Sequence, residues 1–237
     1  LVKGGNYLET LAQVRTVVFD KTGTLTQGRL AVNGVFPHGI DAHELLRLAA
    51  HAEGHSSHPI ARALRAQYRQ PLDLASLEDV REQAGLGISA SFEGRKLLVG
   101  NAAWLMQHDI RVLEPEGAGT AVHVAIEGAY AGSLTVADTV KPASAEAIRE
   151  LRQEGIRHIA MLSGDSPKVV SALAKELDIP DSHHSLMPAD KVERVDSLLK
   201  QIPNGKLCFV GDGINDAPVL ARADVGVAMG ALGSEAA

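Results

Sequence analysis

The sequence predicts an α/β fold, a parallel sheet with helical crossovers, interrupted by an inserted α+β domain. Three short apolar segments, residues 14–19, 158–162 and 206–210, each run into a polar end carrying an aspartate: Asp20, Ser163-Gly164-Asp165 and Gly211-Asp212-Gly213. Helical patterns lie before the second segment and between the second and third, the order a parallel sheet with right-handed crossovers requires. Between the first and second lies a stretch of different character, residues 28–135, with two helical patterns followed by alternating ones.

Residues 14–19 are rich in β-branched and aromatic side chains, as a strand buried on both faces demands. The insert opens with helices over 41–52 and 59–68, and alternation over 87–92, 96–99, 121–126 and 129–136 predicts strands. The helix over 142–153 has Pro142 in its first turn and Gly155 as its stop. Further helices follow over 167–177 and 189–199, and the apolar run 224–229 reads as one more strand of the parallel sheet. Residues 1–27 and 136–237 then form one discontinuous domain around the insert 28–135, with the two junctions as adjacent hinge strands. Ligands of such sheets sit at the carboxyl ends of the strands, so Asp20, Asp165 and Asp212 are expected to share one crevice.

At 237 residues with 45% hydrophobic content the chain buries real cores, which excludes a disordered segment. A net charge of -6 without blocks of like sign argues against nucleic acid or an anionic membrane as partner. One cysteine, Cys208, allows no intrachain disulfide and no Cys-x-x-Cys metal site. No run of roughly 18 apolar residues predicts a membrane span. The opening Leu-Val-Lys-Gly-Gly and the ending Gly-Ser-Glu-Ala-Ala suggest a piece of something larger.

Asp20-Lys21-Thr22-Gly23-Thr24-Leu25-Thr26 places a carboxylate at a strand tip before a hydroxyl-rich turn. A carboxylate there can attack a phosphoryl group and form an acyl phosphate. A lone Asp-x-Thr-Gly more often marks a turn, but the seven contiguous residues are the phosphorylation motif of the P-type ATPases, which the chain resembles. Gly211-Asp212-Gly213-Ile214-Asn215-Asp216-Ala217-Pro218 matches that family's GDGxNDxP signature, and its carboxylates are hard oxygen ligands suited to Mg²⁺. A calcium loop lacks its later bidentate Glu here. Ser163-Gly164-Asp165 corresponds to a TGD-type motif with Ser for Thr, Lys191 to the phosphate-binding lysine, and Asp138-Thr139-Val140-Lys141-Pro142 to a hinge element of the DxxK or DxxR type.

Within the insert, His51, His55 and His58 suggest a metal site by count, although Gly54 and the break at Pro59 weaken it. Ser57-His58-Pro59 instead resembles the SEHP element of the heavy-metal pumps, with Ser56-Ser57 and no Glu before the His. Gly85-Leu86-Gly87 and Gly100-Asn101 resemble the same subfamily's two glycine elements; alone a Gly-x-Gly marks a turn. Trp104, Leu105 and Met106 read as helix core or rim, Cys208 as a buried strand residue, and His183-His184 as a solvated strand edge.

The resemblance implies a Rossmann-like, haloacid dehalogenase-like phosphorylation domain with an inserted nucleotide-binding domain. It implies ATP as ligand at Glu53, His58, Gly85, Gly87, Gly100 and Asn101. It implies phosphorylation of Asp20 with Lys191, Thr22, Ser163, Asp165 and Asn215 in attendance, and Mg²⁺ at Asp20, Thr22, Asp212 and Asp216. The parent would add transmembrane and actuator domains, place this monomeric piece in the cytoplasm, and export zinc, cadmium or lead; residues 228–237 resemble the zinc and cadmium pumps. The alternatives are a copper pump, a soluble phosphatase of the same sheet, or a nucleotide-binding module without activity. Related phosphatases carry an acid/base Asp two positions after the nucleophile, where this chain has Thr22.

Overall fold

The computed structural model describes residues 5–202, 205–213 and 216–229. In chain order it forms α1 (Gly5–Ala12), β1 (Val14–Asp20), β2 (Thr26–Pro37), α2 (Ala42–Ala52), α3 (Pro59–Tyr68), β3 (Leu77–Gln83), β4 (Gly87–Phe92), β5 (Arg95–Gly100) and α4 (Ala102–Met106). It continues with β6 (Thr120–Ile126), β7 (Ala129–Val140), α5 (Ser144–Gln153), β8 (His158–Leu162), α6 (Pro167–Glu176), β9 (Asp181–His183), α7 (Pro188–Gln201), β10 (Lys206–Gly211), α8 (Ala217–Arg222) and β11 (Val225–Ala228). Two compact units result, Leu1–Gly28 with Thr139–Ala237, and Arg29–Asp138. Among the described residues no helix is long and apolar enough to cross a membrane.

The first unit holds a parallel sheet in the order β11-β10-β1-β8-β9. Val17 and Phe19 face one core with Ile148 of α5 and Leu173 of α6, whereas Val18 faces another with Val195 and Leu198 of α7. Because both faces are covered, β1 is apolar at nearly every position rather than alternating. Phe209 and Leu162 are fully buried, each stabilising the fold by about 1.5–3 kcal/mol. The central β1 has β8 on one side and β10 on the other, and the chain reverses its direction of sheet growth there, which opens a crevice at the strand ends.

The second unit carries an antiparallel sheet in the order β2-β7-β6-β5-β4-β3. Helices α2 and α3 cover one face, Leu45, Leu48 and Leu64 packing with Phe92, Leu97, Val99, Val124 and Leu134. The other face is met by Leu105 of α4 with Ile110 and Ala125. Helix α2 starts where the Asp41 side chain accepts from the backbone N–H of Glu44 at 2.8 Å. Helix α3 has Pro59 in its first turn and ends at Arg69 in the left-handed region, φ 57°.

Several elements differ from expectation. Strand β7 continues past residue 136 to Val140, and α5 starts at Ser144 instead of Pro142. The reason is local: the backbone N–H of Lys141 and the hydroxyl of Ser144 both donate to the carbonyl of Leu25, which ties residues 141–144 to the loop after β1. Strand β3, Leu-Glu-Asp-Val-Arg-Glu-Gln, is exposed beyond Leu77. A charged edge strand carries no hydrophobic period to read.

Candidate active site

Asp20 ends β1 and is 5% exposed. The chain then makes a single wide turn, Lys21–Leu25, closed by the backbone N–H and the hydroxyl of Thr26, both donating to the carbonyl of Lys21. Gly23 takes φ 76° in that turn, a region other residues enter at a cost. A Cβ built on it would lie 3.7 Å from Cβ of Asp212, so the loops after β1 and β10 adjoin. The Lys141 ammonium donates to the carbonyl of Gly23 at 2.6 Å and holds this turn from the side of α5.

Lys191, in the first turn of α7, reaches the strand ends. Its ammonium lies 2.5 Å from Oδ1 of Asp20 and 2.9 Å from Oδ1 of Asp216. Asp216, itself 2% exposed, also accepts from the backbone N–H of Asp212 at 3.3 Å. Gly211 makes this possible, since a Cβ there would stand 2.6 Å from Oδ2 of Asp216. Burial pushes the Asp20 carboxyl above its ordinary value, opposed by Lys191 and reinforced by the charge of Asp216. For Lys191 burial works against the charged form, but the two carboxylates outweigh it and raise its pKa. The ammonium is therefore held charged.

Ser163 and Asp165 follow β8. The Ser163 hydroxyl accepts from the backbone N–H of Asp165 at 3.1 Å, and the Asp165 carboxylate lies 2.5 Å from the ammonium of Lys21. Lys21 is 4% exposed and had no role in the sequence reading. A buried lysine beside a strand-tip aspartate is the kind of charge that needs a partner, and here the partner staples the Asp165 loop to the turn after Asp20. Thr22 is exposed, whereas Thr24 is buried with its hydroxyl unpartnered among the described residues. Asn215 lies outside the described residues, as do residues 230–237 of the ending.

The residues named within the insert gather elsewhere. Glu53, Ser56, His58, Glu82, Gly85, Gly87, Gly100 and Asn101 line a cleft of about 230 Å³ in the second unit. Asn101 caps α4 by accepting from the backbone N–H of Trp104, donates its amide to the carbonyl of Gly85 at 2.9 Å, and so fastens one glycine element to the other. Gly87 and Gly100 pair across β4 and β5, and a Cβ on either would strike the Trp104 ring and the opposite backbone. Gly85 stands apart, with φ 74° and open space beside it. Burial raises the Glu53 carboxyl above its ordinary value, against a hydrogen bond from Ser56 and the charge of His58. Glu82 lines the same cleft; no motif pointed to it.

The histidine count leads to no metal site. His51 is a core residue, 2% exposed, with Nδ1 on the carbonyl of Arg47 and Nε2 accepting from the backbone N–H of Asp73. Among the described residues no three His, Cys, Asp or Glu side chains gather as a metal site. His183 is more engaged than a solvated edge: Nε2 lies 2.8 Å from Asp181, and Nε of Arg194 contacts it at 2.9 Å. Trp104 is partly buried at the rim of a small core, and Cys208 is buried in β10.

Against known proteins, a family model described as haloacid dehalogenase-like hydrolase matches residues 14–224. The chain is 48% identical over its full length to the cadmium, zinc and cobalt-transporting ATPase of Bacillus subtilis (strain 168), covering 34% of it. It is 39% identical, again over its full length, to the copper-exporting P-type ATPase of Vibrio cholerae serotype O1, covering 26% of that protein. The crystal structure of a zinc-transporting PIB-type ATPase in its E2.Pi state superimposes with a TM-score of 0.82 at 35% identity, over 96% of this chain and 38% of that one. The chain thus spans 34% and 26% of the length of these two curated relatives.

Proposed function

Given that the chain belongs to the haloacid dehalogenase-like hydrolases and corresponds to the catalytic region of a heavy-metal P-type ATPase, we propose that it transfers the γ-phosphoryl group of ATP to Asp20. The observation that carries this reading is the buried Asp20 carboxylate at the end of β1, held 2.5 Å from the Lys191 ammonium. In the step, one Asp20 oxygen forms a bond to the γ-phosphorus. The bond from that phosphorus to the bridging oxygen breaks, and ADP leaves with the electron pair. Lys191, charged between Asp20 and Asp216, offsets the charge on the equatorial oxygens. Thr22 stands where related phosphatases have their acid/base Asp and cannot readily take a proton from water, so the acyl phosphate persists.

The chemistry of these donors suits Mg²⁺ only together with substrate phosphate, since the aspartates do not by themselves gather as a metal site among the described residues. Asp20 and Asp216 place two buried carboxylates against one ammonium, and Asp212 adjoins Gly23 of the turn after Asp20. One or two carboxylates together with substrate phosphate oxygens are the ligands this ion ordinarily takes. Asp20, Asp212 and Asp216 would hold it, with Thr22 beside them, and when bound it neutralises phosphate charge during transfer. Ser163 and Asp165 would face the phosphate, and the family motif gives Asn215 the same role.

The nucleotide would occupy the cleft of the second unit, with Glu53 and His58 at the adenine and Gly85, Gly87, Gly100 and Asn101 along its wall. In domain terms, residues 1–27 and 136–237 phosphorylate, and residues 28–135 bind nucleotide. The parent would add transmembrane and actuator domains, hold this piece at the cytoplasmic side, and export a borderline divalent metal: zinc, cadmium or lead. The Ser-His-Pro and glycine elements support the heavy-metal reading; the selecting ligands lie outside this chain. Titrating the full-length pump's ATPase activity in vesicles with zinc, cadmium, lead and copper(I) tests the metal, and stimulation by copper(I) alone overturns it. The chemistry is tested by incubation with γ-labelled ATP: the chain is expected to take up acid-stable, hydroxylamine-labile phosphate. Asp20→Asn should take up none, and label retained in that variant overturns the assignment.

A further inference from the structure

The cleft of the second unit is bounded on one side by the connection between α2 and α3, residues 53–58. That connection presents both Glu53 and His58, and it is held from behind by a residue that does not line the cleft. Arg65, two turns into α3, directs a single guanidinium nitrogen, Nη1, at the carbonyl oxygens of the connection. It donates to Ser56 at 2.8 Å, to Gly54 at 3.5 Å, and to Glu53 at a shorter distance. Glu53 is also the residue that ends α2, so Arg65 supplies charge-assisted donors at the helix end, where the Glu53 carbonyl also accepts from the backbone N–H of Ser56 at 3.1 Å.

A second set of bonds runs over the front of the same connection. The Ser56 hydroxyl accepts from the backbone N–H of His58 at 3.2 Å and acts to lower the Glu53 carboxyl against the effect of burial. His58 turns its Nδ1 to the backbone N–H of Ile60 at 3.2 Å, capping α3. Ser56 therefore ties the Glu53 side of the connection to the backbone of His58, and Arg65 holds the carbonyls of residues 53–56 from behind. On the outer side Gly54 is pressed against Leu74 so closely that a Cβ would stand 2.4 Å from its Cδ2. The connection is clamped on two sides, and the clamp facing α3 is a single side chain.

We propose that Arg65 is a positioning residue for nucleotide binding, presenting Glu53 and His58 to the ligand through the carbonyls of residues 53–56. The inference rests on the reading of this cleft as the nucleotide site. Loss of the guanidinium leaves the connection to exchange its fixed donors for water, and the aim of Glu53 and His58 loosens while the core of the unit, built on Leu45, Leu48 and Leu64, is untouched. Pre-organisation of this kind appears in affinity. Lysine carries a comparable charge and several donors on a shorter stem, so it restores part of the clamp.

The test uses the whole 237-residue chain with four variants, Arg65→Met, Arg65→Lys, Glu53→Ala and His58→Ala. Three quantities are measured: ATP affinity by titration calorimetry, the thermal midpoint, and labelling of Asp20 by acetyl phosphate, a donor with no nucleoside to recognise. Arg65→Met is expected to weaken ATP about tenfold, Arg65→Lys to recover part of that loss, and both to be labelled by acetyl phosphate like the parent chain. Wild-type ATP affinity in Arg65→Met, with weakened binding in Glu53→Ala and His58→Ala, overturns the role of Arg65 and leaves the cleft standing. Wild-type affinity in all four variants overturns the cleft itself and the inference with it. A lowered midpoint with parallel loss of acetyl phosphate labelling makes Arg65 a general structural residue, which also overturns the proposal.

Discussion

The crevice around Asp20 and the cleft around Glu53 are built on opposite plans. At the first, ionic side chains face one another: Asp20 and Asp216, both buried, share Lys191, and buried Lys21 meets the part-exposed Asp165. At the second, the walls are largely backbone, with Gly87 against Gly100 and Asn101 bonded to the carbonyl of Gly85. Charge developing on a transferred phosphoryl group has to be met by fixed charge. A flat, mostly neutral ring system is met by close backbone approach and a few polar contacts. Side-chain changes should therefore be severe at the crevice and graded at the cleft.

The largest contrast is expected from Asp212→Ala. It should lower magnesium-dependent phosphoryl transfer by about a thousandfold while ATP affinity by calorimetry stays unchanged. Loss of nucleotide binding with normal transfer would reverse the assignment of the two regions.

Next comes Lys191→Met, which leaves Asp20 and Asp216 facing each other without a cation. Breaking a buried pair of this kind costs about 3–5 kcal/mol, read as a fall in denaturant midpoint. The pH dependence has a defined sign. Burial raises the Asp20 pKa in the folded state, so its contribution to stability is present below the ordinary aspartate value and is lost as pH rises through the raised one. Without the opposing ammonium that loss grows, and the deficit of Lys191→Met should be greatest near neutrality and shrink towards pH 4. A deficit independent of pH would mean that Lys191 acts through packing alone. In the unaltered chain Lys191 is itself raised, so its stabilisation is complete below the ordinary lysine range and disappears only as pH climbs through the raised value.

At the cleft, Glu53→Ala and His58→Ala should each weaken ATP by about 1–3 kcal/mol, with Asp20 labelling by acetyl phosphate unaffected. The smallest effect belongs to Gly85→Ala. The left-handed φ of 74° costs an alanine about 1 kcal/mol, and nothing lies near the added methyl. A thermal midpoint lowered by more than a few degrees would show that Gly85 is packed more tightly than its surroundings suggest.

What the sequence disclosed follows the same division. Asp20, Ser163 and Asp212 were readable because a parallel sheet buried on both faces writes itself as apolar runs, and the polar residue ending each run marks the strand tip. The pair Lys21–Asp165 was not readable, because its members are 144 residues apart and meet only when β1 and β8 lie side by side. No motif singles out Arg65, and only the return of residues 53–56 over α3 turns it to a use. Edge strand β3 carries its register in backbone bonds to β4 and a bulge between Glu78 and Arg81, which leave no trace in hydrophobic period. The role of His51 is hidden for a related reason: it is satisfied by backbone groups from both sides, and spacing does not record that.

Cys208 gives the first unit a built-in reporter. It is the sole cysteine of the chain, sits in β10 beside β1, and burial pushes its thiol up to about 11. At pH 8 only about a thousandth of such a thiol is the reactive thiolate, so a disulfide reagent should label the folded chain slowly and the opened chain fast. The labelling rate as a function of denaturant then reads the opening of the parallel sheet alone, with no signal from the antiparallel sheet, which contains no thiol. ATP added to that experiment asks a further question: whether filling a cleft among residues 53–122 slows the exchange of a sulfur atom in the other unit, a measure of energetic coupling obtained without mutating anything.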